Sequence, residues 1–209
     1  TMLSYITCDV GIDNILWSDM IKRVAESSFN AITVDGDTST NDTFLAFSSG
    51  PKLDPRYLST LEEGLHLTAQ YLAKAIARDG EGANCLLEVK VEGAPSDLDA
   101  HAIARTIASS SLVKTAVHGY DPNWGRIIAA LGRAGTSFDL NNVKLWIGPY
   151  EIFANGTAQD FDRQIVSNFM KAKLAGEYLI DDLISIRLRI GVGKGSATAW
   201  GCDLSDQYV

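Results

Sequence analysis

The strongest constraint on the fold lies between residues 55 and 91. Over residues 55–78 the apolar side chains Leu58, Leu61, Leu65, Ala69, Leu72, Ala73 and Ile76 recur at helical spacing, which puts them on one face of a long amphipathic helix. The turn Asp79-Gly80-Glu81-Gly82-Ala83 stops that helix at its glycines, and residues 86–91 (Leu-Leu-Glu-Val-Lys-Val) read as a strand. Here a helix with one apolar face runs straight into a strand, and helices recur between strands along the chain. The class is therefore mixed α/β with layered sheets.

The rest of the chain repeats this alternation. Residues 3–10, 31–34, 43–47 and 112–117 read as strands on their Tyr, Ile, Thr, Val and Phe content. Ser18 is a plausible N-cap for a helix carrying Ile21, Val24, Ala25 and Phe29. Ser96 with Asp99 resembles a capping box that opens a helix through Ala108. The loop from His118 to Asn123 leads into a short helix ending near Leu131. Residues 143–153 read as a hairpin turning at Gly148-Pro149, and residues 160–174 as a helix. Residues 183–190 alternate Ile184, Ile186, Leu188 and Ile190 against Ser185, Arg187 and Arg189, the pattern of a half-buried strand. A glycine-rich loop and a short last strand follow. Gly93-Ala94-Pro95 reads as the domain junction.

Composition narrows the chemistry. The 209 residues carry a formal net charge of -8 and no basic run, a poor match to phosphate neutralisation, so no nucleic-acid partner is expected. The longest apolar stretches are only a few residues, as at 127–131, so no membrane-spanning helix and no membrane partner is expected. The first residues have neither a basic segment nor an apolar run, so no signal peptide is expected in this stretch. Cys8, Cys85 and Cys202 are far apart and form no CxxC pair, which fits ordinary thiols in a reducing cytoplasm better than a zinc site or disulfide framework.

Several motifs fail on inspection. Gly191-Val192-Gly193-Lys194-Gly195-Ser196 has Leu188 and Gly195 where a phosphate-binding P-loop needs glycine and a hydroxyl residue. Ser196 stands where a dinucleotide fingerprint needs its third glycine. A tight loop needing unusual backbone angles is the first reading, and a loop placing amides near a ligand the second. His66 and His101 fall in helical patterns and read as structural or solvated, whereas His118 sits in a dense polar loop and is a candidate to line a site. Residues 35–42 pack Asp35, Asp37, Asp42, Asn41 and three hydroxyl residues between strands. Their spacing does not fit an EF-hand, and scaffolding of an active site ranks ahead of a metal loop. Glu81, between Gly80 and Gly82, presents an exposed carboxylate after a helix, and an acid there suits recognition of an ammonium group.

Thr1 is the residue with a mechanism attached. A threonine hydroxyl needs a base to remove its proton. The α-amine of an N-terminal threonine supplies one, with a reference pKa of roughly 7.7–8.0. The first residue given being Thr and not Met, either a trivial boundary or a cut made by the protein itself accounts for it.

Read together, the longer motifs single out one family. Thr1-Met2-Leu3, the run from Thr33 to Asp42 (Thr-Val-Asp-Gly-Asp-Thr-Ser-Thr-Asn-Asp), Asp79-Gly80-Glu81-Gly82-Ala83, the run from His118 to Arg126 and the run from Gly195 to Leu204 all resemble the ornithine acetyltransferase family, in its order and over nearly the whole chain. The resemblance implies a precursor cleaved just before Thr1 into an α chain and this β chain. It implies a layered α-β-β-α, N-terminal-nucleophile-like architecture with a second α/β domain. Residues 1–93 would be the nucleophile-bearing portion, completed by the α chain, and residues 94–209 the second domain with the closing glycine-rich loop. The implied reaction moves acetyl from N2-acetylornithine to glutamate by a ping-pong route in arginine biosynthesis. Some members also use acetyl-CoA, as a substrate. No dissociable cofactor and no metal is implied.

Residue by residue, Thr1 matches the nucleophile and Glu81 the substrate-binding glutamate. An oxyanion hole and a substrate-contacting lysine would come from the α chain, in an α2β2 assembly. Two other readings stay open: a related N-terminal-nucleophile amidohydrolase or aminopeptidase, and a non-catalytic assembly subunit.

Overall fold

A computed structural model describes residues 1–208; Val209, the last residue of the expected second domain, lies outside the described residues. The chain forms two compact units. Unit 1 comprises Thr1–Ala31 and Asp37–Ala73, and unit 2 comprises Ile32–Gly36 and Lys74–Val209. Among the described residues no helix is long and apolar enough to cross a membrane.

Unit 1 pairs strands β1 (Leu3–Cys8) and β2 (Thr43–Ser48) in parallel, in register from Leu3 with Thr43 to Cys8 with Ser48. Parallel neighbours need a crossover, and α1 (Asn14–Glu26) supplies it. Asp13, and not Ser18, caps this helix: its carboxylate accepts from the amides of Ile15 at 3.0 Å and Leu16 at 3.3 Å. Ser18 falls inside the helix. The apolar pattern starts late because Ile15 and Leu16 in the first turn are exposed, leaving Met20 and Val24 as the buried stripe. Pro55 starts a short 3-10 turn, and α2 (Leu58–Arg78) follows as expected, with Leu65, Ala69, Ala73 and Ala77 buried.

Unit 2 is a six-stranded sheet. Its strands are β3 (Leu86–Ala94), β4 (Lys144–Ile147), β5 (Tyr150–Ala154), β6 (Thr157–Ala158), β7 (Leu183–Arg189) and β8 (Gly195–Cys202), in the order β6-β5-β4-β7-β3-β8. β3 lies between parallel β7 and antiparallel β8. Val89, Val91, Ile184, Ile186, Leu188, Leu145 and Ile147 form the buried face with Ile103 and Ile107 of α3 (Asp97–Ala108) and Leu131. β7 alternates as predicted, with Arg187 exposed on the opposite face and stacked 4.3 Å over the Trp146 ring.

Two expectations are corrected here. Residues 112–117 are helical, within α4 (Ser111–His118): Val113, Ala116 and Val117 at helical spacing form its buried face, and packing overrides the strand preference of the two valines. Residues 31–34 form no strand. A 3-10 turn over Phe29–Ala31 is followed by a single bridge from Ile32 to Trp200. Along the sequence the compact units change over after Ala31, Gly36 and Ala73. Gly93, with φ +77°, sits at a bulge of β3, which continues to Ala94 paired with Gly195 of β8.

The glycine-rich loop has a related explanation. Gly191, Gly193 and Gly195 are absent from the positive-φ glycines; instead, a Cβ on Gly193 would run into the carbonyl of Ala94, and one on Gly195 into that of Ser96. Close backbone approach, rather than unusual angles, requires glycine there. The loop's amides are used by the chain itself, Gly193 to the Gly93 carbonyl and Ser196 to the Asp97 carboxylate at 2.8 Å.

Candidate active site

In unit 1 the last two residues of the polar loop and the first residue of β2 hold the first two residues of the chain. The Thr1 hydroxyl donates to Asn41 Oδ1 at 2.7 Å, and the Met2 amide to Asp42 Oδ1 at 2.8 Å. The Met2 carbonyl accepts from the Thr43 amide at 2.8 Å. The last bond extends the parallel β1–β2 ladder by one step, so the sheet itself places Thr1. The loop is also bonded to itself. The Ser39 hydroxyl donates to Asp42 Oδ1 and lies 3.3 Å from Asn41 Oδ1, while the Thr43 hydroxyl donates to the Asn41 carbonyl at 3.0 Å. The Ser39 hydroxyl and the Met2 amide hold the Asp42 carboxyl below its ordinary pKa. The polar loop thus turns on its own side chains and presents two acceptors to Thr1 and Met2. Its first residues, Asp35 and Gly36, belong to unit 2, where the Tyr208 hydroxyl lies 3.4 Å from Asp35.

Glu81 lies in unit 2. After α2 ends, Gly82 takes φ +69° and the Gly82 carbonyl accepts from the Ser205 hydroxyl at 2.7 Å and from Asn84 Nδ2 at 3.1 Å. Gly80 passes so close to Cys202 Sγ and Val34 that a Cβ would reach within 2.9 Å of both. Arg78 secures the far side, donating to the Ala83 carbonyl at 3.0 Å and pairing with the buried Asp182. The turn is thereby fixed on both flanks while the Glu81 side chain is exposed.

His118 ends α4, and its Nδ1 lies 2.9 Å from Oδ2 of Asp203. Asp203 is only 1% exposed and also accepts from the amides of Asn84 at 2.7 Å and Cys85 at 3.1 Å. Burial works to raise the Asp203 pKa, but the Asn84 amide, His118 and the remaining donors outweigh it and hold the carboxyl below its usual value. His118 thus serves the buried anchor of the Glu81 turn. Sequence reasoning missed Asp203, Ser205 and Asn84. The Gly201-Cys202-Asp203-Leu204 run was legible as a motif, but its role depends on contacts with residues 85 or more positions away.

Lys114 was missed as well. It is 2% exposed, donates to the Val34 carbonyl and lies 3.7 Å from Cys202 Sγ. Burial pushes the thiols of Cys85 and Cys202 up, opposed at Cys202 by Lys114, so both stay protonated near neutral pH.

Comparison with known proteins gives a consistent picture. The ArgJ family matches residues 1–209. The chain is 88% identical over its full length to the arginine biosynthesis bifunctional protein ArgJ of Prochlorococcus marinus strain NATL2A, covering 50% of that protein. It is 50% identical to the protein of the same name from Synechocystis sp. strain PCC 6803, covering 52% of it. The chain therefore spans about half the length of the curated relatives it matches. Among solved structures it resembles the arginine biosynthesis bifunctional protein argJ of Bacillus halodurans, with a TM-score of 0.92 and 38% identity, covering 100% of this chain and 97% of that one. That likeness bears out the mixed α/β class, with sheets flanked by helices.

Proposed function

The chain belongs to the ArgJ family, and from that premise we propose that it is the β half of a cytoplasmic glutamate N-acetyltransferase of arginine biosynthesis. The hydroxyl of Thr1 attacks the acetyl carbonyl of N2-acetylornithine, and its proton passes to the Thr1 α-amine. Collapse of the tetrahedral adduct breaks the C–N bond, and the amine returns the proton to departing ornithine. Acetyl-Thr1 then gives its acetyl group to the amine of glutamate, releasing N-acetylglutamate and regenerating the hydroxyl. Acetyl-CoA is a second donor by the same route, with its thiol as leaving group.

One observation carries the reading: the Thr1 hydroxyl and the Met2 amide are held by side chains of a dedicated loop at the head of a sheet strand. Glu81 is assigned the ammonium of the amino-acid substrate. Its carboxylate is exposed on a turn fixed at both flanks, and no hydrogen bond or ion pair engages it among the described residues.

The remaining parts are assigned to an α chain from the same precursor, cut before Thr1, in an α2β2 assembly. That chain supplies the oxyanion hole, whose donors must face the developing negative oxygen. Two features support it. The curated relatives are about twice as long, and β1 and β2 leave Leu3, Tyr5, Leu45 and Phe47 exposed on one face of a two-stranded sheet. Two strands are too few for a free-standing sheet, so this face calls for a partner.

The test is intact-mass detection of an acetyl adduct on Thr1 after the assembled enzyme meets acetylornithine. We expect the adduct to form, to clear on adding glutamate, and to be absent in Thr1→Ala. Rapid acetylornithine hydrolysis indifferent to glutamate would instead identify an amidohydrolase.

A further inference from the structure

We propose that Asn41 is a positioning residue for the Thr1 nucleophile: its side-chain oxygen selects the rotamer of the Thr1 hydroxyl and aims its lone pairs, without taking its proton. The inference rests on the acetyl-transfer reading above. Within this chain Thr1 is exposed, so none of the chain's own side chains packs on it to select its χ1, and three staggered rotamers compete. The backbone that follows is already fixed by the bonds from Met2 to Asp42 and Thr43. What remains free is the side chain, and the 2.7 Å bond to Asn41 Oδ1 restrains it.

The geometry also decides which group receives which hydrogen. Ser39 has one hydroxyl hydrogen and two acceptors in reach, Asp42 Oδ1 and Asn41 Oδ1. The Asp42 contact is the closer and is to an anion, so it takes that hydrogen. Asn41 Oδ1 is left to the Thr1 hydroxyl. Asn41 is itself restrained, since its carbonyl accepts from the Thr43 hydroxyl and its amide lies 3.5 Å from Ser39 Oγ. An amide oxygen is an acceptor but not a base at working pH. With the hydrogen directed at Asn41, the lone pairs of Thr1 Oγ1 face elsewhere, ready for the acetyl carbonyl. The proton then leaves for the α-amine only as the new C–O bond forms.

The experiment uses the assembled enzyme, made by co-expressing the two halves as separate polypeptides. An initiator methionine precedes Thr1 and its removal is verified by mass, so that self-cleavage is not required. The rate of acetyl-Thr1 formation is followed by quenched intact mass at saturating acetylornithine. For Asn41→Ala we expect that rate to fall roughly tenfold or more, with the half-saturating concentration unchanged. Asn41→Asp keeps the acceptor oxygen and should recover most of the lost rate. Should the alanine variant fail to assemble, Asn41→Ser, too short to reach Thr1 Oγ1, carries the same comparison. Acylation of the alanine or serine variant at the wild-type rate overturns this proposal alone, as do equal losses in that variant and Asn41→Asp. Absence of any adduct in the wild-type enzyme overturns the acetyl-transfer reading and this proposal with it.

Discussion

Truncating Asp203 should destabilise unit 2 by an amount that follows from its donors. The carboxylate accepts the amides of Asn84 and Cys85, the side-chain amide of Asn84 and the imidazole of His118. In Asp203→Ala these donors lose their acceptor. Cys85 is fully buried, so its amide has no route to water and incurs the penalty for an unsatisfied group, about 1–3 kcal/mol. Asn84 and His118 are only partly buried and rehydrate in part. Together the loss comes to about 3–4 kcal/mol, which for a unit of this size lowers the melting temperature by roughly 10 °C.

Asp203→Asn keeps an acceptor for both backbone amides, and His118 can turn its Nδ1 into an acceptor by changing tautomer. Its loss should be about half as large. The pH dependence has a definite sign. The folded-state pKa of Asp203 is depressed, so its contribution is complete above the unfolded value of about 4 and is lost as pH falls through the lower folded value. Thermal melts of the assembled enzyme between pH 3 and 8 check this. The gap between wild type and Asp203→Ala should stay constant from about pH 5 upward and narrow below about pH 4. A gap under about 3 °C at neutral pH, or one that widens in acid, would refute the reasoning.

Glu81→Gln should raise the half-saturating acetylornithine concentration by about tenfold, because a charge-assisted contact to an ammonium is lost, while the melting temperature stays within about 1 °C. Gly82→Ala should lower stability by about 1–2 kcal/mol, since φ is +69° and the new Cβ would meet Ser205 Oγ at 2.7 Å. Amide exchange should accelerate first over residues 79–84. Asp13→Ala removes the cap of α1 and should cost about 1 kcal/mol, measured by denaturant melts of the assembled enzyme, whereas Ser18→Ala should change little.

Elements whose burial follows one clear period were legible. β7 alternates strictly and α2 carries an unbroken apolar stripe, and both lie where the pattern puts them. α4 was misread because Val113, Thr115 and Val117 satisfy a two-residue period as well as Val113, Ala116 and Val117 satisfy a helical one. Eight residues are too few for composition to arbitrate. Gly93 shows a different difficulty. Glycine and proline punctuate linkers and bulges alike, and only the strand partners on both sides distinguish them.

The polar framework was the part the sequence concealed, and physics explains why. Asp203, Asp182, Lys114 and Glu88 are all under 5% exposed, yet residue type alone assigns such groups to the surface, since burying a charge is costly unless donors or partners meet it. Apart from Lys90 on Glu88 and the Leu179 amide on Asp182, those partners come from remote segments: Asp203 from residues 84, 85 and 118, Asp182 from Arg78, and Glu88 from the Trp200 indole at 3.1 Å. Each remote interaction exists only once the sheet has assembled, so no local window contains it. The Thr1 loop is the opposite case. Ser39, Asn41 and Asp42 bond within four residues, so scaffolding was inferable from composition. What the fold adds there is the parallel register of β1 and β2, which brings residues 41–43 alongside residues 1 and 2 and turns a self-bonded loop into a cradle for a hydroxyl.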